Sequence, residues 1–425
     1  MQTAILFISF FVLLLLAVPI GYSIGIATLL ALVFGGDSSI PLIMVAQKAV
    51  TGCDSFPLMA VPFFMLAGNL MSGGGIAKRI LDFFDTFMGF VVGGLSMVTT
   101  ITCMFFAAIS GSAMATTSAV GAFMIPEMKR HGYAEGFSAG ICAAAGTIGV
   151  IIPPSIPFVI YGVATGTSIT DLFKAGLLPG VAMGVALMIC CYIISKKEGF
   201  KGETKEFSFK AVWVSFKDAI WALLSPVIIL GGIYSGYFTP TEAAVISVVY
   251  SYIVGRFVYH ELDRKGAYQA LKNTIVVNGA TTFMVGLSSA FAAYLSLAGI
   301  PRQIANSMLQ ISDNKFVLLI IINIFLLVVG CLVDNIPATI ILAPILLPVV
   351  TQLGMSPVTF GIMLTMNLAI GFCTPPYGID LFVASAISGV SIGKMMKYMV
   401  WFIFALIVVL AMVTYWPAFT MFTMN

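Results

Sequence analysis

The chain has 425 residues, of which 60% are hydrophobic and 9% charged, with a formal net charge of +3. A soluble protein carries roughly 25% charged residues, and so sparse a supply cannot coat a water-facing surface. Apolar stretches of about 20 residues, long enough to span a bilayer, recur along almost the whole length and leave no room for an ordinary soluble domain.

The chain opens with Met1-Gln2-Thr3-Ala4 and an apolar run to Val18, with no Lys or Arg before it. A secretory signal peptide needs a basic n-region, so this segment is expected to stay as a helix. Residues 4–34 read as two crossings hinged at Pro19-Ile20-Gly21, or as one long tilted helix. A crossing over about 56–72 follows. Residues 73–93 form an arm at the membrane face, because Gly75-Ile76-Ala77-Lys78-Arg79-Ile80-Leu81 has an apolar side with charges at its edge. Residues 94–128 are split by the small, polar run Ser110 to Thr117 and are flanked by charges of one face, which predicts a re-entrant hairpin of two half-depth helices. The next apolar segment, 138–168, contains Gly149-Val150-Ile151-Ile152-Pro153-Pro154. Proline removes a donor and clashes with the preceding turn, so this helix must be broken. A crossing over about 175–195 completes a unit of residues 1–195. The linker 196–218 then carries six lysines between Lys196 and Lys217.

The remainder, 219–425, repeats the first unit. Gly371-Phe372-Cys373-Thr374-Pro375-Pro376 answers the first Pro-Pro site at an offset of 222 residues. Ala115-Thr116 matches Ala338-Thr339 at 223, Pro126 and Gly132 match Pro348 and Gly354 at 222, and Gly75-Ile76 matches Gly299-Ile300 at 224. Landmarks in one order at nearly one offset mark a tandem duplication. The second unit should therefore contain an arm at 300–315, a hairpin at 316–350 split at Asp334 to Thr339, and a broken helix at 357–389.

Basic residues gather in the linker and again at Arg256, Arg264, Lys265 and Lys272, which places both regions in the cytoplasm with two crossings between them. Of the twenty Lys and Arg, only Lys48, Lys174, Arg302 and Lys315 then lie outside. Each unit has an odd number of crossings, so the two must be inverted, and the hairpins enter from opposite faces. Inverted repeats are typical of secondary transporters, with substrate sites near the midplane.

Irregular backbone at membrane depth is costly unless it lines a cavity or is buried in protein. Two hairpin tips and two Pro-Pro breaks are such places. The carbonyls freed at the breaks are hard oxygen ligands suited to sodium. Site one is expected from Ser110, Gly111 and Ser112 with Gly149, Ile152 and Pro153; site two from Asp334 and Asn335 with Gly371, Thr374 and Pro375. A lone Pro-Pro is more often a kink, and Ser-Gly-Ser more often helix packing, but matched recurrence in both halves favours function. Asp334 is a functional candidate in its own right as an intramembrane carboxylate. Asp380 is assigned to the edge of a cytoplasmic cavity, and Glu242 and Asp54 to structural positions at the outer interface. Seven scattered cysteines and two histidines show no metal-ligand spacing, so the thiols read as buried structural groups and sodium as the only metal.

The run Gly232-Ile233-Tyr234-Ser235-Gly236-Tyr237-Phe238-Thr239-Pro240-Thr241-Glu242-Ala243-Ala244 resembles a signature of the large membrane subunit of tripartite ATP-independent periplasmic (TRAP) transporters. The second Pro-Pro break, with Leu381-Phe382-Val383-Ala384-Ser385 after it, and Pro153-Pro154-Ser155 are similar to the same family. The resemblance covers essentially the whole chain. It implies an elevator-type member of the ion transporter superfamily in the bacterial inner membrane, driven by two or more sodium ions and importing an organic acid. Sialic acid (N-acetylneuraminate) is the preferred substrate and a C4-dicarboxylate the next. It also implies a separate small four-helix membrane subunit and a periplasmic substrate-binding protein. Substrate contacts are expected from Ser112, Thr116, Ser155, Asn335, Thr339 and Tyr377; no arginine stands at either tip.

An ATP-driven membrane component, or a transporter that needs no binding protein, is the alternative. No G-x-x-x-x-G-K-[ST] occurs in this chain, so an ATPase would be a separate protein. An intramembrane hydrolase would need a base for Ser112, and no histidine lies in an apolar segment.

Overall fold

The computed structural model describes the chain except residues 1, 17, 36–39, 89–90, 201–207, 302, 304–313, 377 and 423–425. Tyr377, Arg302, most of the 300–315 arm and part of the 196–218 linker therefore lie outside the described residues. The described residues are helical, with no strand among them, and six helices are long and apolar enough to cross a membrane, or seven if one bent pair is a single span.

Helices α1 (Gln2–Leu15) and α2 (Ile20–Phe34) are separate and lie against each other, with Pro19 starting the second. Of the two readings for 4–34, the hinged one is observed. Pro19 fixes its own φ at −54° and cannot donate to the turn before it, so the helix restarts there. Next come α3 (Ile43–Cys53) and α4 (Ala60–Gly73), bent by 60° at a break that includes Pro57. The arm is α5 (Ile76–Met88). It buries Ile76, Ala77 and Ile80, and its Arg79 donates to Glu261 at 2.6 Å while lying 3.9 Å over the Tyr259 ring.

The first hairpin is α6 (Gly94–Ser110) and α7 (Ala113–Arg130), turning at Gly111 and Ser112. Seventeen and eighteen residues make each arm about 25 Å long, more than the half-depth expected. The first broken helix is α8 (Glu135–Gly146) with a 3₁₀ turn over Thr147–Val150, then α9 (Ile156–Thr165) beyond the Pro-Pro pair. The 30-residue α10 (Ile169–Glu198) ends the half.

The second half follows as α11 (Phe209–Tyr234), α12 (Pro240–Ile253), α13 (Arg264–Leu297), α14 (Lys315–Gly330), α15 (Asn335–Gln352), α16 (Pro357–Phe372), α17 (Ile379–Ser388), α18 (Ile392–Tyr415) and α19 (Pro417–Met421). Helices starting at 113, 135, 156 and 169 are answered by starts at 335, 357, 379 and 392, offsets of 222 or 223. The counterpart of the bent α3–α4 pair is the unbroken 34-residue α13.

The interior is built on α8 and α16, whose residues from Gly136 to Gly146 and from Val358 to Phe372 are all buried. In lipid the hydrophobic effect does not drive helix association, so close packing and buried polar links must do so. The sequence of α8 is mostly Gly, Ala and Ser, which lets α7 and α18 approach closely. A polar clamp joins α14, α16 and α18. The Asn367 amide donates to Asn323 Oδ1 at 2.8 Å, and the Asn323 amide donates to Thr414 Oγ1 at 3.3 Å. The outer faces of α11, α13 and α14 keep Val227, Ile275 and Phe325 exposed, as helices facing hydrocarbon do.

Candidate functional site: the meeting of two hairpin tips and two broken helices

At tip one, α6 ends with Gly111 at φ +62°, a left-handed conformation that glycine adopts without steric cost. A Cβ on Gly111 would lie 2.6 Å from the carbonyl oxygen of Pro154, and one on Gly149 would lie 2.6 Å from that of Ser112. Tip and break therefore touch backbone to backbone, and both positions require glycine. The Ile156 N–H donates to the Gly111 carbonyl at 3.3 Å, closing the contact.

Several oxygens converge there. Thr116 Oγ1 donates to the Ser112 carbonyl at 2.8 Å and lies 3.1 Å from Ser110 Oγ. Ser112 Oγ accepts from the Ala115 N–H and caps α7. Ser155 is fully buried, donates to the Val150 carbonyl at 2.6 Å and caps α9, so its hydroxyl holds the break together. The residues meeting the tip are Gly149, Pro154 and Ile156; Ile152 packs against Gly180 of α10.

At tip two, the Asp334 carboxylate accepts from the Asn335 N–H at 2.6 Å and caps α15. Thr339 donates to Asn335 Oδ1 at 2.9 Å, while the buried Asn335 amide nitrogen has no partner among the described residues. The second break meets this hairpin through Gly371, where a Cβ would fall 2.1 Å from the Gly330 carbonyl carbon. The Thr374 hydroxyl donates into its own helix, to the Ile370 carbonyl at 2.8 Å. Both Pro-Pro bonds, Pro153-Pro154 and Pro375-Pro376, are cis.

The tips face one another. A gap of about 50 Å³ is lined by Gly111, Ser112 and Met114 from tip one and by Asp334, Asn335 and Ile336 from tip two, with Phe372 beside them. A larger cleft of about 390 Å³ has Ser112 and Met114 in its wall as well, so the gap and the cleft adjoin at tip one. Although α15 is long enough to cross a bilayer, its first turn ends against tip one, in the interior.

Asp380 differs from expectation. It stands in the first turn of α17 and is 0% exposed, with the Thr117 hydroxyl of α7 beside its carboxylate. Helix α17 inserts beside α7 and α8 of the other half, which buries Asp380 among the described residues. A buried carboxylate is expensive, and the Thr117 hydroxyl and the positive end of α17 offset part of that cost. Its sequence signal was an aspartate four residues past a Pro-Pro break; what hid its role was the packing of one half into the other. Glu242 and Asp54 are both exposed. Glu242 closes a capping box with Thr239, accepting from the Thr239 N–H at 2.8 Å.

The signature run around Thr239 has a structural explanation. Thr239 caps α12, Pro240 occupies its first turn, and Ala243 and Ala244 are buried where α12 packs on α4. The Thr241 hydroxyl donates to the Phe56 carbonyl at 3.2 Å, tying α12 to the α3–α4 bend. None of these residues lines the tip gap.

Comparison with known proteins accords with this architecture. The family described as the tripartite ATP-independent periplasmic transporter, DctM component, matches residues 7–419. The chain is 44% identical over 418 residues to the isethionate TRAP transporter permease protein DctMQ of Oleidesulfovibrio alaskensis, covering 98% of this chain but 66% of that protein. It is 38% identical to the sialic acid TRAP transporter large permease protein SiaM of Vibrio cholerae, over 96% of this chain and 95% of the relative. It is 39% identical to the C4-dicarboxylate TRAP transporter large permease protein DctM of Pseudomonas aeruginosa, over 93% and 92%. Among solved structures, the Alcanivorax borkumensis YdaH transporter superposes with a TM-score of 0.59 at 13% identity over 90% of each chain, a likeness of fold. The chain belongs to the DctM component family of tripartite ATP-independent periplasmic transporters, as a large permease subunit.

Proposed function

We propose that this chain is the transport unit of a sodium-coupled importer of a small organic acid. The observation that carries this reading is the tip-to-tip gap, where two hairpins meet and each is backed by a Pro-Pro break. Hydroxyl and carbonyl oxygens at tip one, and the carboxamide and carboxylates of Asn335, Asp334 and Asp380 in the other half, supply the hard ligands that sodium takes. The amino ends of α7 and α15 both reach the gap and favour an anion beside the bound cations.

Relatives are named for isethionate, sialic acid and C4-dicarboxylate, whose shared chemistry is a carboxylate or sulfonate group. The substrate class proposed is therefore an organic anion of that kind. A periplasmic binding protein delivers it, and a small membrane subunit braces the α1–α4 and α11–α13 helices in the bacterial inner membrane. The inverted halves carry the hairpins and breaks as one block that slides against those helices, the elevator movement. Proteoliposomes holding the chain with both partners, under an inward sodium gradient and without ATP, should accumulate isethionate, N-acetylneuraminate or succinate. Accumulation that needs ATP would move the chain into the ATP-driven class.

A further inference from the structure

Two clefts lie along α13, and the internal repeat relates part of their walls. One, of about 370 Å³, lies between α3, α9, α13 and α15 and is lined by Lys48. The other, of about 390 Å³, lies between α4, α13 and tip one and is lined by Lys272. Both volumes suit a small ligand. Lys48 and Lys272 are 224 residues apart, the offset that also relates Gly75 to Gly299. The facing walls obey the same offset, since Ser289 and Ala293 of the first cleft correspond to Met65 and Asn69 of the second. In the first cleft the α3 side brings the lysine and α13 the facing wall; in the second these roles are exchanged. That exchange is what an internal two-fold would produce.

Both lysines are exposed and, among the described residues, neither has an ion-pair partner. No carboxylate lines either cleft; the polar neighbours are neutral, Thr51 and Ser55 in one and Asn69 and Asn273 in the other. One cation among neutral donors matches a carboxylate or sulfonate head. The distribution of basic residues puts Lys48 outside and Lys272 on the cytoplasmic side. Only the Lys272 cleft shares residues with the tip gap, namely Ser112 and Met114. The Lys272 cleft, not the Lys48 one, therefore adjoins the tip gap in this structure.

We propose that Lys48 and Lys272 are paired anion-holding stations, the first receiving the acid group of the substrate on the outer side and the second receiving it on the inner side. This rests on the organic-acid reading above. It also supplies the positive charge that neither tip provides as arginine, because a lone cation walled by low-dielectric surface concentrates anions locally.

The test uses the full chain with its partners in oriented vesicles, with native cysteines replaced and single reporters Ser55→Cys or Asn273→Cys added. Each is labelled with the anionic 2-sulfonatoethyl and the cationic trimethylammonioethyl methanethiosulfonates. Ser55→Cys should react from outside and Asn273→Cys from inside. The anionic-to-cationic rate ratio should fall about tenfold with Lys48→Gln or Lys272→Gln respectively, and return with Lys→Arg. A ratio untouched by the neutral variants, or both reporters labelling from one side, overturns the paired stations even if sodium-driven uptake is normal. If the ratios respond but isethionate, succinate and N-acetylneuraminate all fail to accumulate, the stations hold and the importer reading fails.

Discussion

At the scale of single residues, Asp334 and Asp380 carry the account. Asp334 was visible in the sequence because an ionised group inside an apolar segment is a functional candidate by itself. Asp334→Ala should abolish sodium-dependent uptake while the variant still elutes with its partners; unchanged sodium dependence would remove tip two from the ion path. Asp380→Asn should keep assembly, since it takes away a buried charge while leaving the Thr117 hydroxyl a group of the same size to bond, and should weaken the dependence on sodium. A variant with wild-type sodium dependence would make Asp380 a structural group. Glu242 gives the opposite expectation. Glu242→Ala breaks the capping box and should lower the unfolding midpoint slightly, with the sodium dependence of uptake intact.

At the scale of elements, helix breaks and tips were legible because Pro and Gly act locally. The Pro-Pro pairs interrupt their helices where expected, and the turn at Gly111 and Ser112 falls inside the Ser110 to Thr117 run. Hairpin arm length was not legible, because tilt and packing set it. The Asn323–Asn367–Thr414 clamp was also invisible, since its members lie 44 and 91 residues from Asn323 and meet only through tertiary packing. Gly371→Leu should push α16 from α14, because its first side-chain atom would already overlap Gly330, and overpacking of this kind costs about 1–3 kcal/mol or more. The thermal midpoint in detergent should fall, and a midpoint equal to wild type would show that the two helices part freely there.

At the scale of the whole molecule, a repeat offset read from four landmarks recurs in the helix starts, and its consequence is a pair of tips meeting at one gap. What the sequence could not show is how deeply the halves interlock, with α17 of the second set against α7 and α8 of the first. The central claim is that this gap is where sodium and an organic anion are carried together. Uptake of isethionate, N-acetylneuraminate and succinate, measured in proteoliposomes with both partner subunits across imposed sodium gradients, tests it most directly. The account predicts accumulation of at least one of the three that needs the inward gradient, proceeds without ATP and is lost in Asp334→Ala. Accumulation that is indifferent to sodium, or that persists in that variant, would contradict it.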